Sequence, residues 1–341
     1  MNFEKLPENW KVVRLGRVAE KITDGTHRTP KYVEKGIPFI STANLVPYSH
    51  DFDFTNYKKF ITSEEHEQLI KRAKPEKGDL LVSKCGTIGI TQLVRTDMEF
   101  SIFVGLALIK LRKNIVLGEY LEFLFNWDYF RHLLESLSPG SNRKTLTINA
   151  LTNLTILLPP LPEQKRIVEI LNLAEDLIKK QKEAIALIDK ILMAKFLEMF
   201  GAPATNPKGW EVIEFDEATL QEKREFKPKV GKIPQSEYLD NGKYPIIDQG
   251  EKFIAGFTND DAKVYKGQLP VIIFGDHTCR FKYIDFPFVR GADGVKVLVP
   301  NVDRFHPKFL FYAFKLLKFP DKDVYKRHYS WLKRQNIICP P

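Results

Sequence analysis

Two similar α+β modules joined by one long α-helix are what this 341-residue sequence predicts. Three observations carry that prediction. A set of landmarks recurs in the same order in both halves, which is the mark of a duplicated domain. Each half mixes short β-branched and aromatic runs, bounded by Gly, Asp, Asn or Pro, with a segment of three-to-four apolar spacing. Between the halves runs a heptad of apolar residues too long for an ordinary domain helix.

The duplication is collinear. Leu6-Pro7-Glu8-Asn9-Trp10-Lys11-Val12-Val13 returns as Asn206-Pro207-Lys208-Gly209-Trp210-Glu211-Val212-Ile213, and Gly36-Ile37-Pro38-Phe39-Ile40 as Lys243-Tyr244-Pro245-Ile246-Ile247. Lys77-Gly78-Asp79-Leu80-Leu81-Val82 answers to Lys266-Gly267-Gln268-Leu269-Pro270-Val271, and Glu119–Phe125 to Lys308–Phe314. Both halves close on paired prolines, Pro159-Pro160 and Pro340-Pro341. Within the modules, Phe100 to Leu111 and Val271 to Phe274 read as strands, and Tyr120 to Leu137 as a helix packed on them.

Between the modules, the positions Ile167, Leu171, Ala174, Ile178, Gln181, Ile185, Ile188, Leu192, Lys195 and Met199 advance by alternate fours and threes and form a heptad seam. Pro162 suits a first helical turn, Glu163 the positive end of the dipole, and Gly201 with Pro203 a stop. The helix from Pro162 to Phe200 would be roughly 58 Å long at about 1.5 Å per residue. The boundaries that follow are residues 1–160, 161–201 and 202–341. A helix of that length cannot bury its stripe alone, so the seam predicts a helical partner rather than a place on one domain's core.

Composition narrows the function. The chain is 43% hydrophobic and 28% charged, as a globular protein is, with no apolar run of the roughly 18 residues a membrane span needs. Its first residues hold no apolar stretch of signal-peptide length, so the expected location is the cytoplasm, with no membrane partner. Cys85, Cys279 and Cys339 are too scattered for a disulfide framework or a zinc site. The net charge of +9 lies in the two modules and not in the helical segment, which points to a polyanionic partner.

Catalytic signatures are missing from the sequence. There is no P-loop, no glycine-rich methyl-donor loop and no Asn/Asp-Pro-Pro-Tyr/Phe tetrapeptide. Asp276, His277 and Cys279 share one short run without distant partners, so a role in loop packing or in facing the polyanionic partner is preferred to a metal site.

Two α+β modules and a heptad helix opening with Pro159-Pro160-Leu161-Pro162-Glu163-Gln164-Lys165-Arg166-Ile167 resemble the specificity subunit of Type I restriction-modification systems. The Leu-Pro-x-x-Trp opening and the Gly-Asp-x-Leu run strengthen the resemblance, which spans essentially the whole chain. It implies that each module is a target recognition domain reading one half of a bipartite double-stranded DNA target, with the helix a coiled-coil spacer. A rod of roughly 58 Å corresponds to about 17 base pairs as an upper limit on the gap.

The resemblance further implies a non-catalytic chain directing adenine methylation and restriction. Methyltransferase subunits and a restriction/translocase subunit would bring S-adenosylmethionine, ATP and magnesium, and the chain itself would hold no cofactor. Family members carry a second long helix after the second module, whereas this sequence stops at Pro341. The seam is therefore expected to pair with another subunit, with residues beyond the sequence, or with a second copy as a homodimer. The competing functions are a self-contained restriction endonuclease or methyltransferase with paired recognition domains, and a protein-protein scaffold.

Candidate DNA contacts are basic or polar residues between the strand-like runs. In the first module these are Thr26, His27 and Arg28 in the turn after Asp24, Lys84 beside Cys85, and Arg143 with Lys144. In the second they are Arg280, Lys282, Arg290, Lys326, Arg327, Lys333 and Arg334. Arginine and lysine suit guanine edges, while most contacts in such an interface go to phosphate.

Overall fold

The computed structural model describes residues 7–45, 59–138, 144–220, 231–291, 294–320 and 327–341. The chain divides into two compact units, Met1–Gln181 and Lys182–Pro341, and the division falls inside the long helix.

In chain order the first unit contains β1 (Lys11–Arg14), α1 (Leu15–Val18), β2 (Ala19–Asp24), β3 (Ile37–Ile40), β4 (Phe60–Ile61), α2 (Ser63–Leu69), β5 (Leu80–Ser83), β6 (Thr91–Leu93), β7 (Ser101–Ile102) and β8 (Leu106–Leu111). These are followed by α3 (Gly118–Asn126), α4 (Asp128–Ser136), α5 (Ile148–Asn153), β9 (Thr155–Leu158) and the start of α6 (Leu161–Phe200). Its central sheet has the order β2-β8-β5-β6, all antiparallel.

That sheet is covered on both faces, which is why its strands are continuously apolar instead of alternating. Leu80, Val82, Ala107, Ile109 and Leu111 point to a core closed by Leu15, Leu121, Phe125, Phe130 and Leu151 from the helices. Leu81, Leu106 and Leu108 point the other way, onto Ile40, Phe100 and Ile102 around the small sheet β4-β3-β7.

The second unit repeats the plan. It contains β10 (Glu211–Glu214), α7 (Phe215–Thr219), β11 (Tyr244–Ile247), β12 (Gly256–Thr258), β13 (Val271–Gly275), β14 (Phe281–Ile284), β15 (Val289–Arg290), β16 (Val295–Leu298), α8 (Pro307–Lys315), α9 (Tyr329–Leu332) and β17 (Asn336–Cys339). The sheet β14-β13-β16 matches β6-β5-β8, and β12-β11-β15 matches β4-β3-β7 with the same antiparallel and parallel pairs. The ribbon β10-β17 matches β1-β9. Ile272, Phe274 and Leu298 face the helices through Phe215, Leu310 and Phe314, while Val271, Ile273 and Val297 face Ile247 and Phe288. No counterpart of β2 lies among the described residues.

Two segments read as single elements are divided. The expected strand Phe100–Leu111 is β7 and β8, in different sheets, because a turn at residues 103–105 redirects the chain after β7 joins β3. The expected helix Tyr120–Leu137 is α3 and α4, broken at Trp127, whose backbone is extended (φ −66°, ψ 131°). Asn126 explains the break: its side-chain amide accepts from Thr91 N–H (3.2 Å) and donates to the Thr91 carbonyl (2.8 Å), tying the end of α3 to β6.

Helix α6 runs unbroken over Leu161–Phe200, and Gly201 ends it at φ +80°. A Cβ there would lie 2.6 Å from Pro207 Cγ. Gly201→Ala should therefore destabilise the second unit by roughly 1–2 kcal/mol, read as a lower urea midpoint.

Candidate nucleic-acid interface

In the first unit a polar cluster forms where β2 ends. Asp24 is buried at 4% exposure among apolar strands, so its charge must be met locally. One carboxylate oxygen takes the ammonium of Lys84, which leaves the end of β5. The other takes an Nη of Arg72 and lies 3.3 Å from His27 Nε2. The Nε of Arg72 also donates to the Asp24 carbonyl (3.2 Å). Burial alone would raise the Asp24 carboxyl, but the hydrogen bonds from Lys84 and Arg72 outweigh it and hold it at about 2.

Above this anchor, Thr26, His27 and Arg28 line one cleft with Gln68, Leu69 and Arg72. Arg28 donates to Glu65 Oε1 at 2.8 Å, on α2, whose N-terminus Thr62 caps by accepting from Glu65 N–H. Two half-exposed guanidiniums are thus each held by a carboxylate on one side, leaving the other side to solvent. A pre-oriented planar fork of this kind suits phosphate or a guanine edge.

The sequence sets Lys84 beside these three as a candidate DNA contact. It is 5% exposed, and its role in this structure is to neutralise Asp24. Lys144 is exposed, two residues before Leu146, whose N–H donates to the Lys84 carbonyl (2.8 Å). Arg143 and Lys326 lie outside the described residues. Arg72 and Asp24 were missed, because their contact spans 48 residues and carries no local sequence signal.

In the second unit Arg280 and Lys282 line a cleft with Glu251, Phe253, Phe281 and Lys315. Arg280 is exposed, 3.7 Å from Glu251. Lys282 is buried, donates to the Lys252 carbonyl (2.6 Å) and sits 3.6 Å from Asp248. Its burial lowers the ammonium's pKa despite that carboxylate. Arg290 is half-buried in β15, and Arg327 is exposed just ahead of α9. Lys333 pairs with Asp216 at 3.1 Å, and Arg334 donates to the Ser330 carbonyl (3.2 Å).

The two units put opposite charges at the same backbone position. Lys84 N–H donates to the Gly105 carbonyl and its own carbonyl accepts from Leu146; Asp276 N–H donates to the Gly294 carbonyl and its carbonyl accepts from His328. Asp276 uses one carboxylate oxygen on the N–H groups of His328 (2.9 Å) and Tyr329 (2.8 Å), with Lys296 3.8 Å from the other. Among the described residues no group of three His, Cys, Asp or Glu is placed to hold a metal.

On α6 the predicted seam is at the surface. Leu171, Ile178, Ile185, Ile188, Leu192 and Met199 are all exposed, while Ile167 packs on the core of the first unit. No helix among the described residues is long and apolar enough to cross a membrane.

Comparison with known proteins agrees with this architecture. A crystal structure of the S subunit of a Type-I restriction-modification system from M. genitalium superposes with a TM-score of 0.53 at 16% identity, over 98% of this chain and 86% of that one. The Type I restriction enzyme MjaIX specificity subunit of Methanocaldococcus jannaschii is 26% identical over 262 residues, 71% of this chain. The EcoBI specificity subunit of Escherichia coli is 24% identical over 207 residues, 59% of this chain. The aligned parts amount to 58% and 43% of those two relatives' lengths. The family model described as Type I restriction modification DNA specificity domain matches residues 7–187, more than half of the sequence. The chain belongs to the Type I restriction-modification DNA specificity family.

Proposed function

We propose that this chain is the sequence-reading subunit of a Type I restriction-modification complex, each unit contacting one half of a bipartite DNA target. The observation that carries the reading is the duplicated module on either side, in sequence, of one continuous helix, in a member of this family. The chain performs no chemistry of its own. Methyltransferase subunits supply S-adenosylmethionine and adenine methylation, a restriction/translocase subunit supplies ATP- and magnesium-dependent cleavage, and the assembly works in the cytoplasm. Different half-sites for the two units are supported by their clefts, since the first is lined by Thr26, His27, Arg28 and Arg72 and the second by Glu251, Phe253, Arg280 and Lys315.

The test is co-expression with a methyltransferase subunit and mapping of methylated adenines, which should reveal two short sequences at a fixed gap. The purified chain alone, given DNA, magnesium and S-adenosylmethionine, should show no turnover, and turnover would overturn the reading. Arg72→Ala should weaken duplex binding by about 1–3 kcal/mol and relax discrimination in one half-site if the guanidinium reads a base. If it meets phosphate, the loss is uniform across sequences and the salt slope falls by about 1.

A further inference from the structure

The buried ammonium of Lys282 braces one loop. Taking such a charge out of water is costly unless protein acceptors replace the water, and the acceptors here belong to residues 248–255, which join β11 to β12. Lys282 Nζ donates to the Lys252 carbonyl (2.6 Å) midway along the loop and lies 3.6 Å from Asp248 at its base. Between these two points the Gly250 N–H donates to Asp248 Oδ1 (2.8 Å) and closes a turn. The loop is held from beneath.

What the braced loop presents to solvent is an aromatic ring. Ile254 turns inward onto the core around Ile273 and Phe288, whereas Phe253 turns outward and is 49% exposed. Phe286, itself packed on that core, meets Phe253 edge to face with ring centroids 6.1 Å apart. The ring is fixed on one side and in water on the other. A lone exposed apolar side chain means little by itself, so the surroundings decide. Phe253 stands in the lining of the ≈ 330 Å³ cleft that also holds Arg280 and Lys315. An apolar ring among cations matches duplex DNA, whose phosphates take the cations while thymine offers an apolar methyl group in the major groove.

We propose that Phe253 is a specificity-determining residue of the second unit, packing on the C5-methyl group of a thymine, and that Lys282 is the positioning residue that holds it there. The inference rests on the sequence-reading role proposed above and assigns a base type to one of its contacts. The geometry favours a methyl contact over insertion between base pairs. A wedge must project its whole ring past the backbone, and about half of this ring is packed against its own unit. Arg280, exposed and 3.7 Å from Glu251, is left for a neighbouring phosphate, as is Lys315.

The test uses the chain co-purified with a methyltransferase subunit and a duplex carrying the target mapped by adenine methylation. Each thymine of both half-sites is replaced in turn by deoxyuridine, which lacks only the C5-methyl group. At one position the replacement should weaken binding about threefold to fivefold, the worth of one buried methyl group. Phe253→Ala, at an exposed position that leaves the fold intact, should no longer distinguish thymine from uracil there, while discrimination at every other base persists. Lys282→Met should lose the same preference although Phe253 is present, yet keep discrimination at the other bases of that half-site, which an unfolded unit would not. A wild-type complex indifferent to every uracil, or a Phe253→Ala complex that keeps the full preference, overturns the proposal and leaves the sequence-reading role standing. A Phe253→Ala loss that is equal on all sequences marks a nonspecific contact and overturns it too. Lys282→Met with the preference intact removes the positioning role, and the absence of any two-part target overturns both the proposal and the reading beneath it.

Discussion

Asp24→Leu should unfold the first unit at markedly lower denaturant, at a cost of about 3–5 kcal/mol, because it strands the ammonium of Lys84 inside the protein. Lys84 is 5% exposed and Asp24 4%, so water cannot take over the solvation that the pair provides itself. Arg72, exposed over half of its side chain, loses its orientation but not its hydration. The double replacement Asp24→Leu with Lys84→Met should recover most of the loss, since removing both charges leaves nothing buried and unpaired. Urea melts of the four proteins in this cycle, read by a probe in the first unit, decide the matter. Additive losses would show that the two residues do not act as a pair.

The same anchor makes the first unit acid-sensitive in a defined window. The folded-state pKa of Asp24, about 2, lies below its ordinary 3.8, so its contribution to stability is complete above pH 4. It is lost as the pH falls toward 2, and amounts to about 2 kcal/mol over that interval. The double variant, lacking the carboxyl, should lose correspondingly less stability between pH 5 and pH 2.

What sequence could and could not reveal divides along the range of the interactions. The helix α6 was legible because its cause is local: the seam from Ile167 to Met199, Pro162 in the first turn and Gly201 at the stop all act within a few residues. The duplication was legible because collinear landmarks need no knowledge of contacts. The break at Trp127 was not, because Asn126 is held by the edge of β6, 35 residues away in sequence. Lys84 reads in sequence as a candidate DNA contact beside Cys85, and nothing near it in sequence reveals Asp24, 60 residues earlier, as the carboxylate that pairs with it. Arg72 went unseen for the same reason. The cleft of the first unit was thus half visible, as the turn Thr26-His27-Arg28, while the groups that brace it were hidden.

Replacing Ile178, Ile185 and Leu192 together by serine should abolish assembly with a helical partner while both units keep their folds. The three side chains are 52%, 57% and 41% exposed in the chain alone, so neither core depends on them and the cost to each unit should stay within about 0.5 kcal/mol per site. In a paired helix each would be buried at roughly 1.5–3 kcal/mol, so three of them together account for more than about a thousandfold in affinity. Co-purification with a methyltransferase subunit, alongside thermal melts of the chain alone, separates the two effects. A second stripe, Ile170, Leu173, Leu177, Leu187 and Ile191, lies one position behind the seam and is also exposed. The apolar surface of α6 is therefore broader than one seam needs, and a single packed helix would leave part of it in water. Serine at Leu173, Leu177 and Leu187 should accordingly weaken assembly as well, and by less than the seam triple if the second stripe meets a more peripheral helix. If the seam triple instead melts either unit, α6 belongs to a domain core and its spacer role is lost.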